Sequence, residues 1–361
     1  MTAECIHALK DNAAFSNNYS KNKGRDIMSN VTIYEIAKEA GCSASTVSRV
    51  LNGYPFVKKE TRAKIQKIME NRNYIPNETA RNLVTQSTHL IGILLSDIRT
   101  TQHTDGIYYI EKELSKQGYS CIICNTGSSH ESMTSYIQML SQRNVEAIIL
   151  MGSTYQNEAI EKAVALYTPG IPVVLCKGVL NGSNIYSIIC DEDTGVYNCV
   201  KLLHDKGCKD IAFVYDNRTP SNIQKHEGFQ KGIKDFGYKT KNNVVNAHGE
   251  IESMYDIIKT FIQKNPKIDG IVFSEDFIAV VALRLFSDLG IKVPDQIQVV
   301  GINNSRYAEI GVPPVTSLDN KLYDISITAV RTVLSLLNGE TATKKVLVFS
   351  DIVERKSTKM M

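Results

Sequence analysis

The chain of 361 residues is 43% hydrophobic and 22% charged, a balance ordinary for folded water-soluble proteins and a length that suits more than one domain. No apolar run approaches the roughly 18 residues that cross a bilayer, and the first thirty residues hold no apolar signal-peptide core, so a cytoplasmic protein with no membrane partner is expected. The net charge of +3 is unevenly placed: residues 31–88 carry +4 and everything beyond them carries −2, so a small basic module precedes a mildly acidic body, as contact with phosphate backbones requires.

Residues 1–30 are rich in Asn, Ser, Lys and Asp, lack periodicity, and are expected to form a disordered tail in which Met28 offers an alternative start. From Val31 the pattern is helical. Ile33, Ile36, Ala37 and Ala40 fall on one face, Thr32 and Glu35 form a capping box, and Gly41 ends the helix. Ser43 caps a second helix, Ala44 to Asn52, with Val47, Val50 and Leu51 on its apolar stripe and Ser45, Ser48 and Arg49 opposite. Gly53-Tyr54-Pro55 breaks the chain, and a third helix from about Lys58 to Asn71 turns Ile65, Ile68 and Met69 inward. Two short helices around a Gly turn, closed by a third, describe a helix-turn-helix whose second helix can enter a major groove. Pattern alone leaves open a three-helix bundle that binds a protein. Pro76 stops the third helix and Asn77 can cap a segment of only two turns, 78–84, too short to hold in water without a packing partner.

From Leu90 onward apolar strands alternate with helical stretches: Leu90–Leu95, Cys121–Cys124, Ala147–Met151, Val173–Cys176, Ile211–Tyr215, Gly270–Phe273 and Val299–Ile302. Two tandem parallel sheets covered by helices are expected, with a ligand cleft beyond the carboxyl ends of their strands. The eight cysteines are scattered through apolar runs, and Cys121 and Cys124, three apart on a strand, point to opposite faces, so neither a metal site nor a redox pair is expected. No nucleophile elbow, phosphate-binding Gly-Lys-Ser/Thr loop or His-Glu-x-x-His helix occurs, so no catalytic residue and no cofactor is assigned. Asp191 to Gly195 resembles a calcium loop only superficially, and helix capping is its expected task.

The run Val-Thr-Ile-Tyr-Glu-Ile-Ala-Lys-Glu-Ala-Gly-Cys-Ser-Ala-Ser-Thr-Val-Ser-Arg-Val-Leu-Asn-Gly, residues 31–53, resembles the headpiece of the lactose-repressor (LacI/GalR) family almost position by position. Glu60-Thr61-Arg62, Tyr74-Ile75-Pro76-Asn77 and Ala80-Arg81-Asn82-Leu83 resemble that family's third helix and hinge. Asp191-Glu192-Asp193-Thr194-Gly195, His226-Glu227-Gly228-Phe229, Pro313-Pro314-Val315-Thr316 and Arg355-Lys356-Ser357-Thr358 stand where family signatures stand. Lys58 departs from the capping Ser of many members.

The resemblance implies an α/β fold: an N-terminal all-α helix-turn-helix headpiece on a two-lobed, periplasmic-binding-protein-like, doubly wound parallel-sheet domain. The expected division is a tail at 1–30, a DNA-binding domain at 31–76, a hinge helix and linker at 77–88, and an effector-binding and dimerisation domain at 89–358. Lobe 1 would take about 89–188 with 318–340, and lobe 2 about 189–317 with 341–358. It further implies a homodimeric regulator, a repressor by analogy, on a palindromic double-stranded operator. Thr32, Tyr34, Ser43, Ala44, Ser45, Thr46, Ser48, Arg49 and Asn52 would contact DNA from the headpiece. Asn77, Ala80, Arg81 and Leu83 would do so from the hinge, with Leu83 wedged into a minor-groove step.

The effector positions implied are Thr100, Gln102, His103, Lys177, Lys225, Glu275, Asp276 and Asn303. They depart from sugar-binding members: Thr100-Thr101-Gln102-His103 replaces an aromatic platform, Lys177 an Asp, Lys225 an Arg, Glu275 an Asn and Asn303 an acid. Two lysines and a histidine in these places point to an anionic or phosphorylated effector, with a sugar as the alternative. The rival functions are a transporter's solute-binding protein, which would need an export signal and no headpiece, and a regulator that answers to a protein partner.

Overall fold

The computed structural model describes residues 31–51, 53–74, 87–238 and 243–360, in two compact units divided after Ser87. In the smaller unit, α1 (Ile33–Ala40), α2 (Ala44–Leu51) and α3 (Lys59–Asn71) close over Ile36, Val47 and Ile65, all fully buried. The ends are set by local chemistry. Thr32 Oγ1 accepts the Glu35 N–H at 3.3 Å while Glu35 Oε2 accepts the Thr32 N–H at 2.7 Å, and Gly41 leaves α1 at a φ of 68°. α3 begins after Lys58 without a side-chain cap, as expected of a lysine there. Asn52 and the hinge positions Asn77, Ala80, Arg81 and Leu83 lie outside the described residues, as does the tail.

The larger unit runs β1 (Leu90–Leu95), α4 (Thr101–Lys116), β2 (Ser120–Asn125), α5 (His130–Gln142), β3 (Ala147–Met151), α6 (Glu158–Tyr167), β4 (Val173–Cys176) and β5 (Ile185–Cys190). It continues through α7 (Glu192–Asp205), β6 (Ile211–Tyr215), α8 (Pro220–Asp235), β7 (Val244–Asn246), α9 (Ile251–Lys264), β8 (Gly270–Phe273) and α10 (Asp276–Asp288). It ends with β9 (Gln298–Ile302), α11 (Arg306–Ile310), β10 (Thr316–Asp319), α12 (Leu322–Leu337), β11 (Lys345–Val348) and β12 (Asp351–Val353). One sheet has the order β11-β5-β4-β3-β1-β2, all parallel; the other has β12-β10-β9-β8-β6-β7, parallel except for β12. Each sheet is buried on both faces, which is why its central strands are unbroken apolar runs. Cys121 and Cys124 do face opposite ways, one toward the layer of α4 and α12, the other toward that of α5 and α6.

The lobe boundaries differ from those expected. Residues 189–190 complete β5 of the first sheet, and 318–319 complete β10 of the second, held by β9 and β12. Residues 345–348 belong to the first sheet, because β11 pairs in parallel with the edge of β5. The chain therefore crosses between lobes three times, near 191, 320 and 349.

The four signature segments prove to be packing devices. Asp191 caps α7 by accepting the Thr194 N–H at 3.2 Å. A Cβ on Gly228 would lie 2.1 Å from the Asp193 carbonyl oxygen, so only glycine lets α8 approach α7. Thr316 receives the Arg355 N–H on Oγ1 at 2.8 Å and gives its own N–H to Ser357 Oγ at 2.8 Å, latching the C-terminal segment to β10. Gly228→Ala should destabilise the large unit by at least the upper end of about 1–3 kcal/mol, since the obstruction is backbone. Urea unfolding would measure it, and a loss within error of zero would contradict the close approach.

Candidate functional site

The outward face of α2 is built by its cap. Ser43 Oγ accepts the Thr46 N–H at 3.2 Å and lies 2.7 Å from Ser45 Oγ and 2.9 Å from Thr46 Oγ1, tying the hydroxyls into one cluster at the start of the helix. Val47 and Val50 hold the opposite face in the core, which leaves Ser45 and Arg49 exposed and Ser48 half-buried. Tyr34, in the first turn of α1, is 74% exposed, whereas Thr32 and Ala44 serve the helix starts. A short helix offering hydroxyls and one guanidinium to solvent suits a major groove, where arginine can bridge guanine O6 and N7.

Between the lobes of the larger unit lies a cavity of about 730 Å³, lined by residues just past the carboxyl ends of β1, β3, β4, β6, β8 and β9. Thr100, Gln102, His103, Lys177, Lys225, Glu275 and Asn303 all line it. Asp276 does not. It is 1% exposed, its Oδ2 accepts the N–H and hydroxyl of Ser305 at 2.7 and 2.9 Å, and its Oδ1 accepts the Ser317 hydroxyl at 2.6 Å. Burial lifts its carboxyl to about 6 against those hydrogen bonds. Its place is to join α10 to α11 and β10, which removes it from the effector set.

The two lysines are not free cations. Lys177, at a φ of 64°, carries its Nζ to within 3.1 Å of Glu192 Oε1 and 3.5 Å of Asn303 Oδ1. Lys225 Nζ lies 3.7 Å from the same carboxylate oxygen, 3.3 Å from Asn222 Oδ1 and 3.2 Å from the Ser274 carbonyl. Glu192 is 2% exposed; it also accepts the Asn320 amide at 3.1 Å and the Ser221 hydroxyl. Burial alone would push its carboxyl up, but the ammonium groups of Lys177 and Lys225 and the Ser221 hydroxyl bring it down to about 2. Both lysines are thus answered by a residue that sequence reasoning placed only in a signature motif.

Glu275 precedes α10 but makes no capping bond, and burial, then the charge of Asp216, lifts its carboxyl to about 7. His103 Nδ1 lies 2.7 Å from the Asp97 carbonyl, so Nδ1 carries the proton and Nε2 is left as an acceptor. Burial and the charge of Lys177 keep this ring below its ordinary pKa. Gly152, at a φ of 105°, admits the ring: a Cβ there would sit 3.0 Å from His103 Nε2.

A model of the lacI family of bacterial regulatory proteins matches residues 32–77, and one of a periplasmic binding protein-like domain matches residues 200–358. The HTH-type transcriptional regulator RegA of Clostridium saccharobutylicum is 31% identical over 331 residues, 91% of this chain and 99% of its own. The chain belongs to the lacI family. It is a DNA-binding transcriptional regulator of the lacI type, with a small-molecule effector domain. Two solved structures share the fold. The lac repressor dimer bound to operator and the anti-inducer ONPF matches with a TM-score of 0.82 at 23% identity, over 91% of this chain and 99% of that one. A LacI transcriptional regulator from Alkaliphilus metalliredigens complexed with D-xylulofuranose matches with a TM-score of 0.66 at 21% identity, over 75% and 100%. No Phe, Tyr or Trp is among the described residues that line the cleft, in keeping with the replaced aromatic platform, and no helix of the described residues is long and apolar enough to cross a membrane.

Proposed function

We propose that this lacI-family protein binds a two-fold symmetric operator as a homodimer, reads it with α2, and releases or grips it according to a small polar metabolite held between the lobes. The outward face of α2, with Ser45 and Arg49 exposed over a closed apolar core, is the observation that carries the DNA reading. Selection from random duplexes should enrich a palindrome. Arg49→Ala should then cost about 1–3 kcal/mol at that site and far less on scrambled DNA. Equal losses on both, read by fluorescence anisotropy, would leave Arg49 with phosphate contact only.

The dimer reading is supported by exposed apolar groups on lobe 2. Ile310 is 67% exposed and Val312 86%, beside the packed Phe277 and Tyr307 rings of α10 and α11. Such exposed apolar groups suit a partner copy. Ile310→Asp should halve the mass seen by light scattering and weaken operator binding with it. An unchanged dimer would move the interface elsewhere. The effector reading is supported by the cavity at the strand ends and by the related regulator that holds a sugar in the same fold.

A further inference from the structure

We propose that the effector of this cleft is a donor-rich small molecule bearing a primary ammonium, an amino-polyol rather than a phosphorylated or carboxylated metabolite, with Glu275 as its counter-charge. The proposal rests on the reading of the cavity as the effector site and names the chemistry that site selects.

The charges decide it. Leaving aside Asp97, which is paired with Arg99, the carboxyls of Asp216 and Glu275 on the lining and of Glu192 against the lysines stand with two ammonium groups, those of Lys177 and Lys225. Lys225 Nζ already faces three acceptors at 3.2–3.7 Å, and Lys177 gives two of its three N–H groups to Glu192 and Asn303, so the charge of both is largely answered by Glu192 and little donor capacity remains for an incoming anion. Asp216 is engaged by the amides of Asn222 at 3.1 Å and Asn217 at 3.0 Å. Glu275 is the carboxyl with no hydrogen bond or ion pair among the described residues, Lys225 and Lys177 acting on it only at longer range. The remaining charges do not supply one: Arg99 is paired with Asp97 at 2.7 Å, and Arg218 and His130 are exposed at the rim, where solvent screens them. Asp276, the next acid along, faces away into Ser305 and Ser317. Burial first, and then the charge of Asp216, raise the pKa of Glu275 against the more distant charges of Lys225 and Lys177.

The neutral groups point the same way. His103 Nε2 is an acceptor, and buried Gln102 Oε1 and Thr154 Oγ1 meet no partner among the described residues. A ligand rich in hydroxyl and ammonium hydrogens would satisfy all three, whereas phosphate or carboxylate oxygens could be met by the Thr154 hydroxyl but would set acceptor against acceptor at Gln102 Oε1 and His103 Nε2. Because no Phe, Tyr or Trp is among the described residues that line the cavity, a quaternary ammonium would lack the cage it needs, and a primary one that donates three hydrogen bonds fits better. The volume suits a mono- or disaccharide-sized molecule.

The test uses the full-length protein and three matched panels: 1-amino-1-deoxy-alditols with amino sugars, the neutral polyols and sugars they derive from, and the phosphate esters of those. Thermal shift followed by calorimetry should show an amine bound about tenfold or more tightly than its neutral counterpart, as one charge-assisted hydrogen bond provides. Binding should release protons and tighten from about pH 6 to about pH 8, as Glu275 loses its proton to make way for the ammonium. Glu275→Gln should bring amine and neutral counterpart to within about threefold of each other, the amide keeping shape but not charge. A neutral polyol or a phosphate ester that binds as tightly as its amine would overturn the proposal and leave the cleft as the effector site. Silence from all three panels would overturn the cleft reading with it and favour a protein partner.

Discussion

Glu192→Gln is expected to lower the unfolding free energy by about 3–5 kcal/mol, although it alters one atom, because it strands two largely buried ammonium groups without their carboxylate. The carboxylate is 2% exposed and lies within 3.7 Å of both Lys177 and Lys225. Adding Lys177→Met to the variant should recover part of the loss, since fewer unmatched charges remain buried, and that coupling separates charge from shape. The wild type carries a matching signature in pH. The Glu192 pKa is near 2 when folded and 4.5 in an unstructured chain, so its contribution is complete above about 4.5 and fades as the pH falls toward 2. In urea titrations that window should cost the wild type about 3 kcal/mol and the variant little of it. Parallel curves for the two proteins would rule out the buried pairing.

Glu275→Gln is expected to do the reverse and stabilise the protein at neutral pH. A carboxyl whose folded pKa lies above its unfolded value holds its proton best in the native state, so native stability is highest below the unfolded value of 4.5 and declines as the pH rises through about 7. An amide escapes that decline. The variant should gain up to about 3 kcal/mol over the wild type by pH 8 and show no advantage near pH 4, read by denaturant midpoints at each pH. A flat difference across the range would mean that Glu275 is solvated or already paired. Strain of this kind, kept where a ligand would relieve it, is the common exchange of stability for function. The gain also ensures that a lost amine preference in this variant cannot be blamed on misfolding.

The headpiece was legible because its signals are local: Thr32 with Glu35, Gly41 and Ser43 act within four residues of where they stand. The central strands were legible because both their faces are buried, which writes them as apolar runs. Those that escaped notice are of another kind. β5, Ile-Tyr-Ser-Ile-Ile-Cys, mixes polar residues into its run, β10 carries Thr316 and Ser317 to receive hydrogen bonds inside the protein, and β7, β11 and β12 are short edges. Overlooking β5 had a consequence for the site. Glu192 comes two residues after that strand, where the rule of strand carboxyl ends would have placed it in the cleft beside the lysines. Asp276 was misplaced for a different reason. Neighbouring residues at a helix start can face opposite ways, and only the positions of Ser305 and Ser317, some thirty and forty residues distant, decide which of Glu275 and Asp276 turns inward. Sequence supplies a side chain's charge, while its partner is a matter of tertiary geometry.

Because β11 and β12, separated by two residues, complete different sheets, one short stretch of codons serves both halves of the sensor at once. A frameshift after codon 340 would strip an edge strand from each half together, so neither could survive as an independent fragment. Recombination meets the same obstacle: exchanging one half for that of a relative demands several breakpoints, and a single one would yield a chimera mismatched in both.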